Sequence, residues 1–360
     1  MNKFKADVND LKRIMKVLSQ CYDRKSGIYA DIQLVQDNGR LTIRSTNGTF
    51  LCEMSMDVTV GSCDPFCIDG DMFNKVINIS RGQVEILTDG RSCVIKGTGR
   101  TRLPIISKTI YAPEDLDGKI VTIQQENFRS VHGLTAYARA TTEDRPILTG
   151  TLLETDEKRL RMVALDGYMM AIENTPCSGD IVSAVVPGAF MNLIDSALLP
   201  GDELTLVTNG KILQAKTSTM TMQCALMAGE YIDYHRLLPK TFKTEVMIDT
   251  EQLMDTLKGC SILNSKLKLI RMSVGQDELT ITNNSESADY EARIPCQTTG
   301  DVLNIAFAEK YLIDTIGAIR ADKTIMKFNT PVSPVYITVQ GSDGVHMCLP
   351  VRLQEAKQDE

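Results

Sequence analysis

Tryptophan is absent from these 360 residues, and aromatic residues together make up only 5%. The chain has three histidines, His132, His235 and His346. That thins the supply of acid–base groups that work near neutral pH. No apolar run reaches the roughly 18 residues of a membrane-spanning helix, so no membrane partner is expected. The N-terminus MNKFKADVNDLKRIMKV lacks an apolar core of signal-peptide length, which argues against secretion. No CxxC pair occurs among the ten cysteines. The closest two, Cys63 and Cys67, have no histidine or second pair beside them, so no metal site is expected. A chain of this length without a secretion signal needs no disulfides. Its cysteines read as small buried hydrophobes in a reducing, cytoplasmic compartment.

Catalytic motifs are equally scarce. Neither HExxH nor GxSxG occurs. The glycine-containing GTGR at 97–100 lacks the Lys-Ser/Thr end of a phosphate loop. The chain therefore reads as non-catalytic, with no catalytic residues and no cofactor. What it does have is ordinary for a globular protein: 43% hydrophobic and 24% charged residues. Its length suggests two or three domains. With 39 basic and 46 acidic residues the net charge is −7, which at first sight suits nucleic acid poorly.

A repeat with a period near 120 residues organises the rest. Each copy opens with a one-sided helical stretch, spaced by threes and fours. These run over Val8–Gln20 with Leu11, Ile14, Met15 and Leu18, over Gln125–Ala138 with Phe128, Val131 and Leu134, and over Thr250–Leu263 with Leu253, Met254 and Leu257. Strand-like runs follow; in the first copy they meet at Asp37-Asn38-Gly39, a good hairpin turn. A shorter helix comes next (DGDMFNKVINI, VPGAFMNLIDSAL, FAEKYLIDTIGAI), with Phe73, Phe190 and Tyr311 near equivalent places. More strands close each copy. The predicted class is α+β, with two helices per copy on antiparallel sheet. Boundaries fall near residues 120 and 244, giving domains 1–120, 121–243 and 244–360.

Split by copy, the charge is uneven: +2, −3 and −6 along the chain. Lys12, Arg13 and Lys16 share the polar face of the first helix. Arg24, Lys75, Arg129, Arg139, Lys258 and Arg320 lie on, beside or at the ends of helices. A shared basic helical surface could meet phosphates while the sheets carry acidic residues outward.

Four stretches then carry a family resemblance. They are EDRPILTGTLLE (143–154), RMVALDGYMMAI (161–172), GEYIDYHRLLPK (229–240), and PVSPVYI (331–337) with MCLPVRL (347–353). In this order, on a threefold repeat, they resemble the bacterial DNA polymerase III beta subunits, the sliding clamps. The resemblance implies the DNA clamp fold, in which two chains pair head to tail into a closed six-domain ring. Such a ring encircles duplex DNA independently of sequence and serves as a processivity factor in DNA replication. It also implies partners: the polymerase III alpha subunit, the clamp loader, and repair and translesion polymerases, each docking a short hydrophobic peptide. The matched motifs place that cleft at Arg145, Leu148, Leu165, Gly167, Tyr168, Met169, Met170, Pro239, Tyr311, Val332, Met347, Leu349, Pro350 and Val351.

Several segments depart from the family pattern. Tyr168-Met169-Met170 replaces a cationic rim with an apolar one. YIDY at 231–234 replaces the usual FPDY. The QEAKQDE tail beyond Leu353 would add negative charge near the cleft mouth. By position, Leu103 and Ile105 of one chain are expected to meet Ile262 and Leu263 of the other in a homodimer. The location implied is the cytoplasm, at the nucleoid. The alternative is a clamp-like, peptide-binding scaffold that does not encircle DNA.

Overall fold

An aspartate caps three of the helices that shape this chain. In the computed structural model the Asp7 carboxylate accepts from the backbone N–H of Asn9 at 2.7 Å. Asp69 does the same for Met72 at 2.7 Å, and Asp249 for Gln252 at 2.9 Å. Each satisfies a donor that the first helical turn leaves unpaired. The structure describes residues 2–23, 25, 27, 29–59, 63–142, 144–156, 158–263, 268–285 and 288–352. Arg24, Glu143, Leu353 and the QEAKQDE tail lie outside the described residues.

Six α-helices follow the repeat: α1 Val8–Leu18, α2 Gly70–Ile79, α3 Gln125–Thr135, α4 Gly188–Ala197, α5 Thr250–Ser261 and α6 Glu309–Ala318. Each long helix stops a little short of its expected end. Ser19 turns its hydroxyl back to the Lys16 carbonyl, and Ser261 does so to Lys258. At the end of α3 the Thr135 hydroxyl takes the Val131 carbonyl, and Ala136–Ala138 tightens into a 3-10 turn. Ile262 and Leu263 consequently sit in a turn beyond α5. The Asp37–Gly39 hairpin forms as expected, with Asn38 at φ 48° and Gly39 at φ 81°, the paired positive values that a two-residue hairpin turn uses.

The chain packs as two units. One comprises Met1–Phe128, Thr155–Lys158 and Cys177–Met227; the other comprises Arg129–Glu154, Arg159–Pro176 and Ala228–Glu360. The central repeat is shared between them because strands pair from repeat to repeat. In the first unit, Met220–Ala225 pairs antiparallel with Phe50–Asp57 inside a nine-stranded sheet. Above it α1 packs on α2 and α4, and Phe50 meets Phe190 at 5.3 Å between ring centroids. In the second unit, Met169–Pro176 pairs with Val345–Cys348. There α5 and α6 cover a sheet whose core includes Leu253, Leu257, Met272, Phe307, Leu312 and Phe328. Nine of the ten cysteines are buried, and all are free thiols.

The caps give a direct test. Asp7→Ala should lower the unfolding free energy by about 1 kcal/mol, read as a lower urea midpoint at unchanged slope.

Candidate functional site

The cleft motif residues all belong to the second unit, and a tight turn organises them. Strand Arg159–Leu165 returns as Met169–Pro176 through Asp166, Gly167 and Tyr168, with Leu165 opposite Met170. Gly167 takes φ +98°, which a side chain would resist. The Asp166 carboxylate accepts the N–H of both Tyr168 and Met169 at 2.7 Å. Across the next ladder Met170 faces Met347 and Met169 faces Cys348. The Tyr168 carbonyl then accepts the Leu349 N–H at 2.8 Å. Pro350 bridges to Phe307, and the Val351 N–H reaches the Ala306 carbonyl at 2.7 Å. Hydrogen bonds therefore hold the end of the described chain against the turn.

Exposure separates these residues. Met169 and Met170 are buried, because both faces of their strand are covered. The expected apolar rim is therefore one residue, Tyr168, which is 54% exposed. Its ring lies nearly parallel to that of Tyr311, 5.0 Å away at 10°. The Lys310 ammonium stands 5.8 Å from the Tyr311 ring centre and pairs with Asp314 at 2.6 Å. Burial, with Asp166 nearby, raises the Tyr311 pKa, so its hydroxyl stays neutral. Leu148 is buried in the 3-10 turn Pro146–Thr149, next to exposed Arg145. Pro239 follows the 3-10 turn Tyr234–Leu237, and Val332 is exposed on a loop. Among the described residues, strand pairing does not tie these last four to the Tyr168 group.

The residues expected to face DNA fall into unlike settings. Lys12, Arg13 and Lys16 of α1 line a cavity of about 380 Å³ with Ser19, Asn74 and Asn78. Lys12 donates to the Ser80 carbonyl at 3.0 Å, which draws α1 to the end of α2. Lys75 is exposed and paired with Asp71 at 2.7 Å. Arg129 is exposed. Arg139 is mostly buried at the end of the 3-10 turn, and desolvation lowers its guanidinium pKa. Lys258 and Arg320 line a larger cavity, about 1130 Å³, together with Asp249, Glu251, Asp255, Asp314 and Asp322. Two cations among five carboxylates do not make a phosphate-attracting surface.

The expected interface residues also divide. Ile262 is 80% exposed, whereas Leu103 is buried in its own unit and shows no side chain outward. Ile105 and Leu263 are half-buried. An unexpected residue joins this group: Ile79, at the end of α2, is 71% exposed. The Thr98 hydroxyl donates to its carbonyl at 3.2 Å, which sets it beside the hairpin that leads to Leu103. Sequence reasoning also missed Tyr137, Glu173 and His346, which join by hydrogen bonds behind the Met169–Met347 ladder. Among the described residues no group of three or more histidine, cysteine or acidic side chains is placed to hold a metal ion. No helix there is long and apolar enough to cross a membrane.

Comparison with known proteins gives one consistent answer. Residues 122–233 match the family described as the DNA polymerase III beta subunit, central domain, and residues 235–352 match its C-terminal domain. The beta sliding clamp of Streptomyces coelicolor is 24% identical over 324 residues, covering 86% of each chain. That of Escherichia coli K12 is 25% identical over 296 residues, 78% of this chain and 80% of the relative. The beta subunit structure from Thermotoga maritima superposes with a TM-score of 0.91 at 19% identity, over 98% of this chain and 100% of the other. A Pseudomonas aeruginosa sliding clamp bound to griselimycin gives 0.91 at 21% identity, with the same coverage. The chain belongs to the DNA polymerase III beta subunit family, the DNA sliding clamps.

Proposed function

We propose that two copies of this chain close head to tail into a ring around duplex DNA, and that the Tyr168 cleft tethers its partners. The reading divides each chain into domains 1–120, 121–243 and 244–360. The partners are the polymerase III alpha subunit, the clamp loader, and repair and translesion polymerases, met at the nucleoid in the cytoplasm. The chain contributes topology and tethering rather than catalysis.

One observation carries the ring: each unit ends in an open sheet edge with an exposed isoleucine beside it. Strand Arg100–Pro104 is the last of its four-stranded sheet. Strand Asp289–Gly300 pairs over Asp289–Pro295 with Glu278–Asn284 on one side only. Such edges carry unsatisfied N–H and C=O groups. Pairing the two between copies would satisfy both and cover Ile79 and Ile262. In this arrangement Leu103 offers its backbone, since its side chain is already buried. Ile262→Ala with Leu263→Ala should give a monomer by sedimentation; an unchanged dimer would refute the assignment.

Weak, unspecific phosphate contact suits a ring that must slide, because a tight grip would stall it. The α1 cavity supports such contact, and the carboxylate-lined cavity of α5 and α6 does not. Lys12→Glu with Lys16→Glu should shorten retention on DNA at low salt by about tenfold, whereas Lys258→Glu should change it little. The decisive experiment loads the protein on nicked circular DNA and on the same DNA linearised. A ring stays on the circle and runs off the free ends. Equal retention on both would favour the scaffold reading instead.

For the cleft, apolar anchors in a preformed pocket fit a short peptide with large apolar side chains. Tyr168→Ala should weaken a fluorescein-labelled peptide carrying two leucines and a phenylalanine by about three- to tenfold, the size of one lost aromatic contact. DNA retention should be unaffected.

A further inference from the structure

Behind the Met170–Met347 rung lies a hydrogen-bonded chain of polar side chains. His346 is 2% exposed and Glu173 is 7% exposed. The His346 Nε2 stands 3.0 Å from Glu173 Oε1, and its Nδ1 stands 2.9 Å from the Tyr137 hydroxyl. The Tyr137 and His346 rings also stack, at 5.9 Å. On α6 the Thr315 hydroxyl donates to the Tyr311 carbonyl at 2.7 Å, and the 3-10 turn that carries Tyr137 packs against this helix. The hydrogen bonds therefore run from strand Met169–Pro176, through strand Val345–Cys348, to the 3-10 turn, which packs on the helix that carries the aromatic wall.

Its chemistry is defined. The geometry suits a neutral ring that donates from Nε2 to the Glu173 carboxyl oxygen and accepts at Nδ1. Burial pushes the Tyr137 pKa strongly upward, so its hydroxyl keeps a proton that it can donate to Nδ1. Buried polar groups of this kind are costly when unpaired and directional when paired. The fit is close. A Cβ on Gly344 would lie 2.4 Å from the Glu173 carboxylate oxygens, so only glycine leaves room for them. The ladder that the chain fastens has four rungs, and one is Met170 opposite Met347. Tyr137 also packs, with Tyr311, against the small cluster that contains Met169.

We propose that Glu173, His346 and Tyr137 form a positioning relay that fixes the floor and aromatic wall of the cleft, so that a seated peptide is sensed at the buried His346 ring. The inference rests on the cleft reading above. These are positioning residues, because none of them lines the open surface beside Tyr168.

The test uses the full chain and the same labelled leucine–phenylalanine peptide. Tyr137→Phe and His346→Leu should each weaken the peptide at least fivefold while leaving the elution volume and DNA retention unchanged. His346→Gln should stay within twofold of the unmodified protein, since an amide can donate to Glu173 and accept from Tyr137. In protein labelled with nitrogen-15 at histidine, the His346 ring resonances should report a proton on Nε2 and move on peptide addition. Unaltered affinity in Tyr137→Phe and His346→Leu, or ring resonances that ignore a bound peptide, would overturn the relay and leave the cleft standing. An unmodified protein that binds no peptide would overturn both readings.

Discussion

Four rungs of antiparallel ladder, Met169 to Ile172 against Cys348 to Val345, tie the central repeat to the last within the second unit of this chain. Because side chains alternate along a strand, a slip of one residue would turn every one of them to the opposite face. It would separate Met170 from Met347 and His346 from Glu173 at once. Four rungs are few to define a register alone. The hydrogen bonds from Leu349 to Tyr168 and from His346 to Glu173 pin the ladder at either end. The cleft inherits its shape from that pinning rather than from its own apolar side chains, which could pack in other ways.

The charges follow the same logic of local placement. A net charge of −7 says little about a protein whose first helix gathers Lys12, Arg13 and Lys16 around one cavity. Nor is the basic character shared among the helices. Lys258 and Arg320 look alike in sequence, yet they sit among five carboxylates. A duplex near these helices would feel attraction from one repeat and repulsion from another.

Much of the fold was legible because helices spaced by threes and fours and a turn such as Asp37-Asn38-Gly39 write their geometry into neighbouring residues. The long repeat was legible for the same reason. What escaped was tertiary. Tyr137 and His346 are 209 residues apart, and nothing local marks them as partners. Met169 and Met170 read as a rim because their strand is apolar at successive positions. Successive apolar positions instead indicate a strand covered on both faces. Leu103 poses a similar difficulty: its place beside an open edge can be inferred, but the direction of its side chain depends on strand parity. Helix ends were overrun by two or three residues where Ser19, Ser261 and Thr135 fold their hydroxyls back on the preceding turn.

Tyr168 shows why one exposed residue can matter more than the buried set around it. Its backbone is held on both sides, by the Asp166 carboxylate at its N–H and by Leu349 at its carbonyl. Its ring is held by Tyr311. A side chain this constrained in the free protein loses little further freedom when a ligand covers it, so more of the contact energy appears as affinity. Buried methionines beneath it adapt to shape but offer no surface of their own. The ring presents an open face beside the Tyr311 ring and its neighbouring Lys310 ammonium. With Met169 and Met170 buried, the Tyr168 ring alone presents the apolar surface that three residues were expected to share.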